Sequence, residues 1–363
     1  MAPRRVPLGL AAPLAAAAAL APALAAEGCA QNHDRLASEP DAGTTTPSGG
    51  AGGTTSSSTT SGQGGAGGEI VEPTGPTELT VVAGVVDSAA VRLCFLPYPS
   101  VASSATPWPA DPAGLAYAHG AVVAPLADVV PASGDVALWV LGGDLGAVGG
   151  ADCDALVAAG SVGGLRVGLV GVLPASVFAS GKSLLFVPSG CLGGADHTDA
   201  FETYVCGPSY TPAYGSLNLL GASMSRLTDP DKVSLQVAHA SLGTVTPSLE
   251  VRLTPGVANA GPMTIATQWT FGAVDPYPPF AKLAKAGLGT VTEAKLALQQ
   301  QGQPTPLAER TFADALALGD VPLAAIEDGA GLVFVAVGPA PNVGAGPWWQ
   351  GFELTLVRAE PTP

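Results

Sequence analysis

Positive charge is scarce in this sequence: 14 lysines and arginines stand against 29 aspartates and glutamates, a formal net charge of −15. Binding nucleic acid requires lysine and arginine to neutralise phosphates, so this balance excludes it as a partner. It also argues against adsorption to anionic lipid headgroups. Charge of either sign is thin, at 12% of residues, and aromatics make up 6%. Of only four histidines, His33 falls in low-complexity sequence, which leaves few members for a Ser–His–Asp set. None of the five cysteines is in a C-x-x-C pair, so the usual zinc spacing is missing. Beyond the first 26 residues no apolar run is long enough to cross a bilayer as a helix.

Motifs for chemistry are similarly lacking. Gly221-Ala222-Ser223-Met224-Ser225 misses the nucleophile-elbow pattern by its last glycine. Gly181-Lys182-Ser183 has no upstream glycine of a phosphate loop and precedes a strand rather than a helix. Asp152 and Asp154, and Asp229 and Asp231, have the spacing hard cations favour, but neither pair completes a calcium loop. No cofactor, metal or enzymatic activity is expected.

The amino terminus is distinctive. Arg4 and Arg5 precede an almost wholly apolar run from residue 8 to 26, ending in small residues, as a secretory signal does. Ala26-Glu27-Gly28-Cys29 then resembles a bacterial lipobox, with Ala26 and Glu27 departing from the commonest residues. The resemblance implies a signal peptide over residues 1–28 and a diacylglycerol on Cys29; the alternative is ordinary cleavage near Ala25, which leaves Cys29 a free thiol and the protein secreted. Ala30 after the cysteine implies the outer membrane as destination. Cysteine number agrees: a lipidated Cys29 leaves Cys94, Cys153, Cys191 and Cys206, enough for two disulfides in an oxidising compartment. Three pairings are open. Cys94–Cys153 with Cys191–Cys206 is preferred because the second pair closes a short loop.

Residues 29–78 form a stalk, nearly all Gly, Ser and Thr between about residues 37 and 68. Such sequence cannot bury enough apolar surface to offset its backbone entropy. About thirty residues of it reach roughly 30 Å as a flexible linker.

The remainder combines 47% hydrophobic composition over the chain with frequent glycine and proline, 48 and 34 in all. Short apolar runs punctuated by turn residues are the mark of an all-β domain. Strands are expected at 79–86, 90–96, 136–141, 165–172 and 184–187, then at 232–239, 248–253, 263–269, 321–326, 332–337 and 352–357. Val233, Leu235 and Val237 alternate with Ser234 and Gln236, the period of a strand. Helices are expected only at 154–159, 279–286 and 307–317, too few for a parallel α/β sheet. The fold reading is two tandem antiparallel β-sandwiches, Ig-like, over residues 79–228 and 229–363. A duplication is read by laying Val91–Pro97 on Val233–His239, and Gly181–Val187 on Gly329–Val335.

Leu235-Gln236-Val237-Ala238-His239-Ala240-Ser241, then Leu249–Leu253 and a closing strand ending in Val337-Gly338, resemble a family of β-sandwich domains of unknown function. These occur in bacterial secreted proteins and lipoproteins, often as tandem copies. The layout of lipobox, stalk and four downstream cysteines is also similar to surface lipoproteins of large-genome soil or predatory bacteria. Neither resemblance brings an activity.

Three residues stand out as possible ligand contacts. Trp348 and Trp349 are adjacent and can form a platform for sugar rings or peptide, or cover a core edge. His239 ends an apolar strand, where a histidine more often fills a polar pocket. Cys191, Asp196, His197 and Asp199 make a polar cluster that could supply metal ligands but is better read as a solvated turn in a disulfide loop. The leading expectation is a non-catalytic envelope lipoprotein, structural, adhesive or ligand-binding, with an unknown protein or glycan partner. The alternatives are a carbohydrate-binding module using Trp348 and Trp349, or an envelope hydrolase whose site converges only in three dimensions.

Overall fold

The structure, a computed structural model, describes residues 72–99, 103–198, 202–242, 249–269, 272, 274–275, 281–341 and 343–359. The signal, Cys29, Asp199 and most of the stalk lie outside the described residues.

The body is all-β, built as two sandwiches. The first half contains β1 (Glu78–Val82), β2 (Gly84–Val85), β3 (Ala90–Tyr98), β4 (Leu115–Ala116), β5 (Gly120–Val122), β6 (Asp135–Gly143), β7 (Leu165–Leu173), β8 (Ser183–Gly190) and β9 (Asn218–Met224). The second contains β10 (Val233–Ser241), β11 (Leu249–Thr254), β12 (Met263–Trp269), β13 (Val274–Asp275), β14 (Ala281–Leu283), β15 (Lys295–Gln300), β16 (Pro306–Thr311), β17 (Gly331–Gly338) and β18 (Glu353–Arg358).

Each half has one antiparallel sheet, β4–β3–β6–β7 or β12–β11–β15–β16. The other sheet is mixed. In the first half β8 lies between β9 and the successive segments β1 and β2, with β5 outside β1; in the second β17 lies between β18 and β10, with β13 and β14 outside β10. The mixed character comes from parallel pairing of β1 and β2 with β8, and of β10 with β17. The two halves therefore share one topology.

That topology moves half of the sequence-level repeat by one strand. Gly181–Val187 on Gly329–Val335 superposes β8 on β17, which are equivalent. The counterpart of β10 is β1 with β2, whereas Val91–Pro97 lies in β3, the counterpart of β11. The β1–β2 strand is broken at Ala83, while β3 is as long and as apolar as β10.

Alternation places the core. In β8, Leu184 and Phe186 enter the first sandwich, and in β17, Leu332 and Phe334 enter the second. Intervening residues point the other way, yet they are also buried. Leu185, Val187, Leu220 and Met224 of the first half meet Ala238, Ala240, Val333, Val335 and Val337 of the second in an apolar seam between the mixed sheets. Burial on both faces explains the uninterrupted apolar runs in β8 and β17. The sheets approach closely enough that a Cβ on Gly120 would lie 2.7 Å from Val357 Cγ1 and 3.4 Å from Gly319 Cα.

Three expected elements differ. The strand at 321–326 is a single 3₁₀ turn, Leu323–Ala325, entered through Pro322. The helix at 307–317 divides at Thr311: β16 precedes it, and the helix Phe312–Leu318 follows, with the Thr311 hydroxyl accepting from Asp314 N at 3.1 Å. Within 279–286, Ala281–Leu283 forms β14 and a short helix starts only at Lys285. Strand pairing with β15 and β10 overrides the helical propensity of Ala, Leu and Lys here.

Strand polarity gives the body two distinct ends. β1 and β8 start together, with Glu78 beside Ser183, and the run finishes with Val85 beside Gly190. Those strands span roughly 25 Å at about 3.3 Å per residue. The chain enters at the starting end. Ser225 Oγ donates to the Glu72 carboxylate at 3.0 Å, and Arg226 Nη2 donates to Pro76 O at 2.6 Å. β18 finishes at that end too, with Arg358 beside Leu332. The opposite end carries the loops described next.

Candidate functional site

At the end of the body away from chain entry, four segments converge. The turn after β2 supplies Asp87, the start of β7 supplies Arg166, and the segment after β8 supplies Asp196, His197 and Tyr210. The β17–β18 connection of the second half supplies Trp348 and Trp349. The Cys191–Cys206 disulfide fixes the third segment, and Cys94–Cys153 ties β3 to the helix Cys153–Ala159 nearby. These are the two pairings preferred from loop length.

Asp87 organises the cluster. Its fully buried carboxylate accepts from Leu192 N and Gly193 N, both at 2.8 Å. His197 Nδ1 lies 3.2 Å from Asp87 Oδ2, and Arg166 Nη1 lies 3.7 Å from the same oxygen. Arg166 Nη1 is also 2.8 Å and 2.7 Å from the two ring nitrogens of His197, while its Nη2 donates to Asp196 Oδ1 at 3.2 Å. Burial with a matched cation and two backbone donors is how a carboxylate is tolerated in an interior. Tyr210 donates its hydroxyl to His197 O at 3.1 Å; burial, followed by the Asp87 and Glu202 charges, pushes its pKa up to about 12.

The tryptophans close the cluster from the second half. Trp348 stacks on His197 with ring centroids 4.6 Å apart and planes 7° from parallel, and meets Trp349 edge-on at 4.9 Å. Trp349 is buried and donates its indole N–H to Gly344 O at 2.9 Å. Gln350 N donates to Val86 O, and Tyr117 Oη to Gly351 O, completing the bridge between the halves. The pair therefore covers a core edge, and Trp349 has no open face to offer a sugar ring.

His239 lies elsewhere. It is fully buried in β10, opposite Ala336, and its Nδ1 accepts from Ser241 N at 3.2 Å. Burial pulls its pKa down to about 4, so the ring is neutral and has no surface for a ligand. His197, read from sequence as part of a solvated turn, is 4% exposed; Asp196 of the same turn is 79% exposed at the side chain. Asp87, Arg166 and Tyr210 went unnoticed in the sequence. Asp87 stands 105 to 110 positions from its hydrogen-bond partners Leu192, Gly193 and His197, and nothing local marks it.

Other sequence candidates have structural duties. Asp152 caps the helix Cys153–Ala159 by accepting from Ala155 N at 2.8 Å, and Asp154 accepts from Ser103 N. Asp229 lies 3.7 Å from Lys232 and 3.8 Å from Lys282. Among the described residues no group of three or more His, Cys, Asp or Glu is placed to hold a metal. Among them, too, no helix is long and apolar enough to cross a membrane.

Beside the cluster lies a shallow cleft of about 370 Å³, lined by residues 161–166, 192–196, Pro212 and Ala213. Arg166 and Asp196 are its charged side chains. The arrangement presents a fixed donor fork beside an open carboxylate. Among the described residues no hydrogen bond joins His197 to a serine or threonine hydroxyl.

No family model matches the chain, and no curated protein matches it. Among solved structures, a candidate adhesin from Bacteroides thetaiotaomicron VPI-5482 is similar at 10% identity, covering 80% of this chain and 100% of that one, with a TM-score of 0.19. At that score the likeness carries no argument about fold or activity.

Proposed function

We propose that this chain is a tethered, non-catalytic envelope protein whose rigid double sandwich presents a binding surface away from the membrane. The observation that carries the reading is the placement of the two ends. Chain entry at Glu72–Pro76 and the cleft beside Arg166 lie at opposite ends of the long strands. A lipid on Cys29, followed by a flexible spacer, would hold the entry end toward the membrane and the cleft toward partners. Two disulfides suit an oxidising compartment. An extended apolar seam couples the halves into one body, as an adhesive or ligand-presenting part requires.

Metabolic labelling with palmitate tests the anchor. The native protein takes up label and fractionates with outer membrane, and Cys29→Ala abolishes both. A mature chain that begins at Ala26 with an unmodified Cys29 overturns the anchor.

One contact favours a second reading. Asp87 and His197 form the carboxylate–imidazole pair many hydrolases use. Here Arg166 sits against both ring nitrogens, which takes up the lone pair a general base needs. Turnover of ester, peptide or glycoside substrates that His197→Ala abolishes would install this reading instead.

A further inference from the structure

We propose that the cleft beside Arg166 and Asp196 binds a neutral, polyhydroxylated ligand, a short glycan segment of one or two sugar rings. This names the ligand class of the binding surface proposed above and rests on that reading. A volume of about 370 Å³ lies at the lower end of the range for small-molecule sites.

The cleft is preorganised. A Cβ on Gly194 would lie 2.5 Å from Arg166 Cζ, so the guanidinium lies directly against the main chain. Gly193 has φ of +89°, and a Cβ there would stand 2.7 Å from Pro212 O. Contacts to His197 and Asp196 hold the fork in place, so little side-chain freedom remains to be lost on binding.

Charge selects the class. The Arg166 cation is already opposed by Asp87 and Asp196 on a chain of net charge −15. An anionic ligand therefore meets no net positive field. A pair of neighbouring hydroxyls, each both donor and acceptor, matches guanidinium N–H groups beside a carboxylate. Asp196 is open enough to take part.

The rim supplies the apolar half. Val162 in the cleft wall is 60% exposed, and Tyr214, next to the wall residue Ala213, is 85% exposed. In a chain poor in aromatics, an uncovered tyrosine beside a polar cleft is suited to the C–H face of a sugar ring.

The test uses the full lipidated chain in mild detergent on an array of neutral oligosaccharides (glucan, mannan and chitin fragments). A polyuronate and an oligolysine peptide serve as anionic and cationic comparisons. Hits are titrated by saturation-transfer NMR. Neutral oligosaccharides bind, and Tyr214→Ala and Asp196→Asn each weaken binding about tenfold, the worth of one stacking or charged hydrogen-bond contact. Both side chains are exposed, so their loss reads on the site rather than on folding. Tyr98→Ala, at the opposite end of β3, leaves binding unchanged. Failure of every neutral oligosaccharide, indifference to both variants, or capture of oligolysine or polyuronate alone overturns the proposal. The anchor is read separately by palmitate labelling, so a failed glycan test leaves it intact.

Discussion

The two halves have the same strand topology and differ in their connections. Between β6 and β7 the first half inserts residues 144–164, with a 3₁₀ turn and the helix Cys153–Ala159; between β15 and β16 the second half makes a tight hairpin over 301–305. Between β8 and β9 the first half inserts residues 191–217, while the equivalent β17–β18 connection is shorter, at 339–352. Each disulfide of the first half sits on one of its long insertions, and among the described residues the second half has none. Long loops cost closure entropy, and a cross-link removes part of that cost from the unfolded chain. The second half is held instead by a continuous apolar core capped by the helix Phe312–Leu318.

Reduction should separate the halves most strongly. Cys94–Cys153 spans 59 residues and Cys191–Cys206 spans 15, so their loss removes about 4 and about 3 kcal/mol respectively. Hydrogen exchange under dithiothreitol should accelerate first in β3, β6 and β7, before β11, β15 and β16. Equal loss of protection in both halves would break the comparison.

Core truncation should erase the difference. Phe186 and Phe334 occupy equivalent positions in β8 and β17, each in its own sandwich core. Phe186→Ala and Phe334→Ala should each cost about 3–5 kcal/mol and lower the calorimetric Tm to a similar degree. Because the seam couples the halves, each variant should retain a single thermal transition; two transitions would show them independent.

Acid should act mainly on the second half. His239 holds a folded pKa of about 4 against 6.5 in the free side chain. The unfolded chain therefore takes up the proton first, and stability complete above pH 6.5 is lost as pH falls toward 4, by about 3 kcal/mol. Denaturant titrations across that range should show the loss, and His239→Gln should flatten it.

Trp348→Ala should have the smallest of these effects, about 2 kcal/mol for a half-buried ring. Exchange in residues 191–217 should quicken, because the ring stacked on His197 is gone. No change there would mean that the two equivalent loops do not support one another.

Most of the fold was legible because burial leaves a pattern. Val233, Leu235 and Val237 alternate, and β8 and β17 read as continuous apolar strands. Elements set by tertiary pairing were harder to see. Lys295–Gln300 has a helix former's composition, yet it pairs with β11 on one side and β16 on the other. The repeat was legible at β8 and β17, where both copies enter through glycine, and misplaced at β3, where length and oiliness imitate β10. The site was legible only in two local fragments, Asp196-His197 and Trp348-Trp349, with nothing to show that they meet. Asp87 and Arg166 reach it through strand ends brought together by the sheets, so no spacing announces them.

The apolar seam bears on how the chain is made. Whenever the first half folds ahead of the second, Leu185, Val187, Leu220 and Met224 have nothing to rest against. Until the second half docks, a lone first sandwich shows a flat greasy wall, the kind of surface chaperones seize and neighbouring copies stick to.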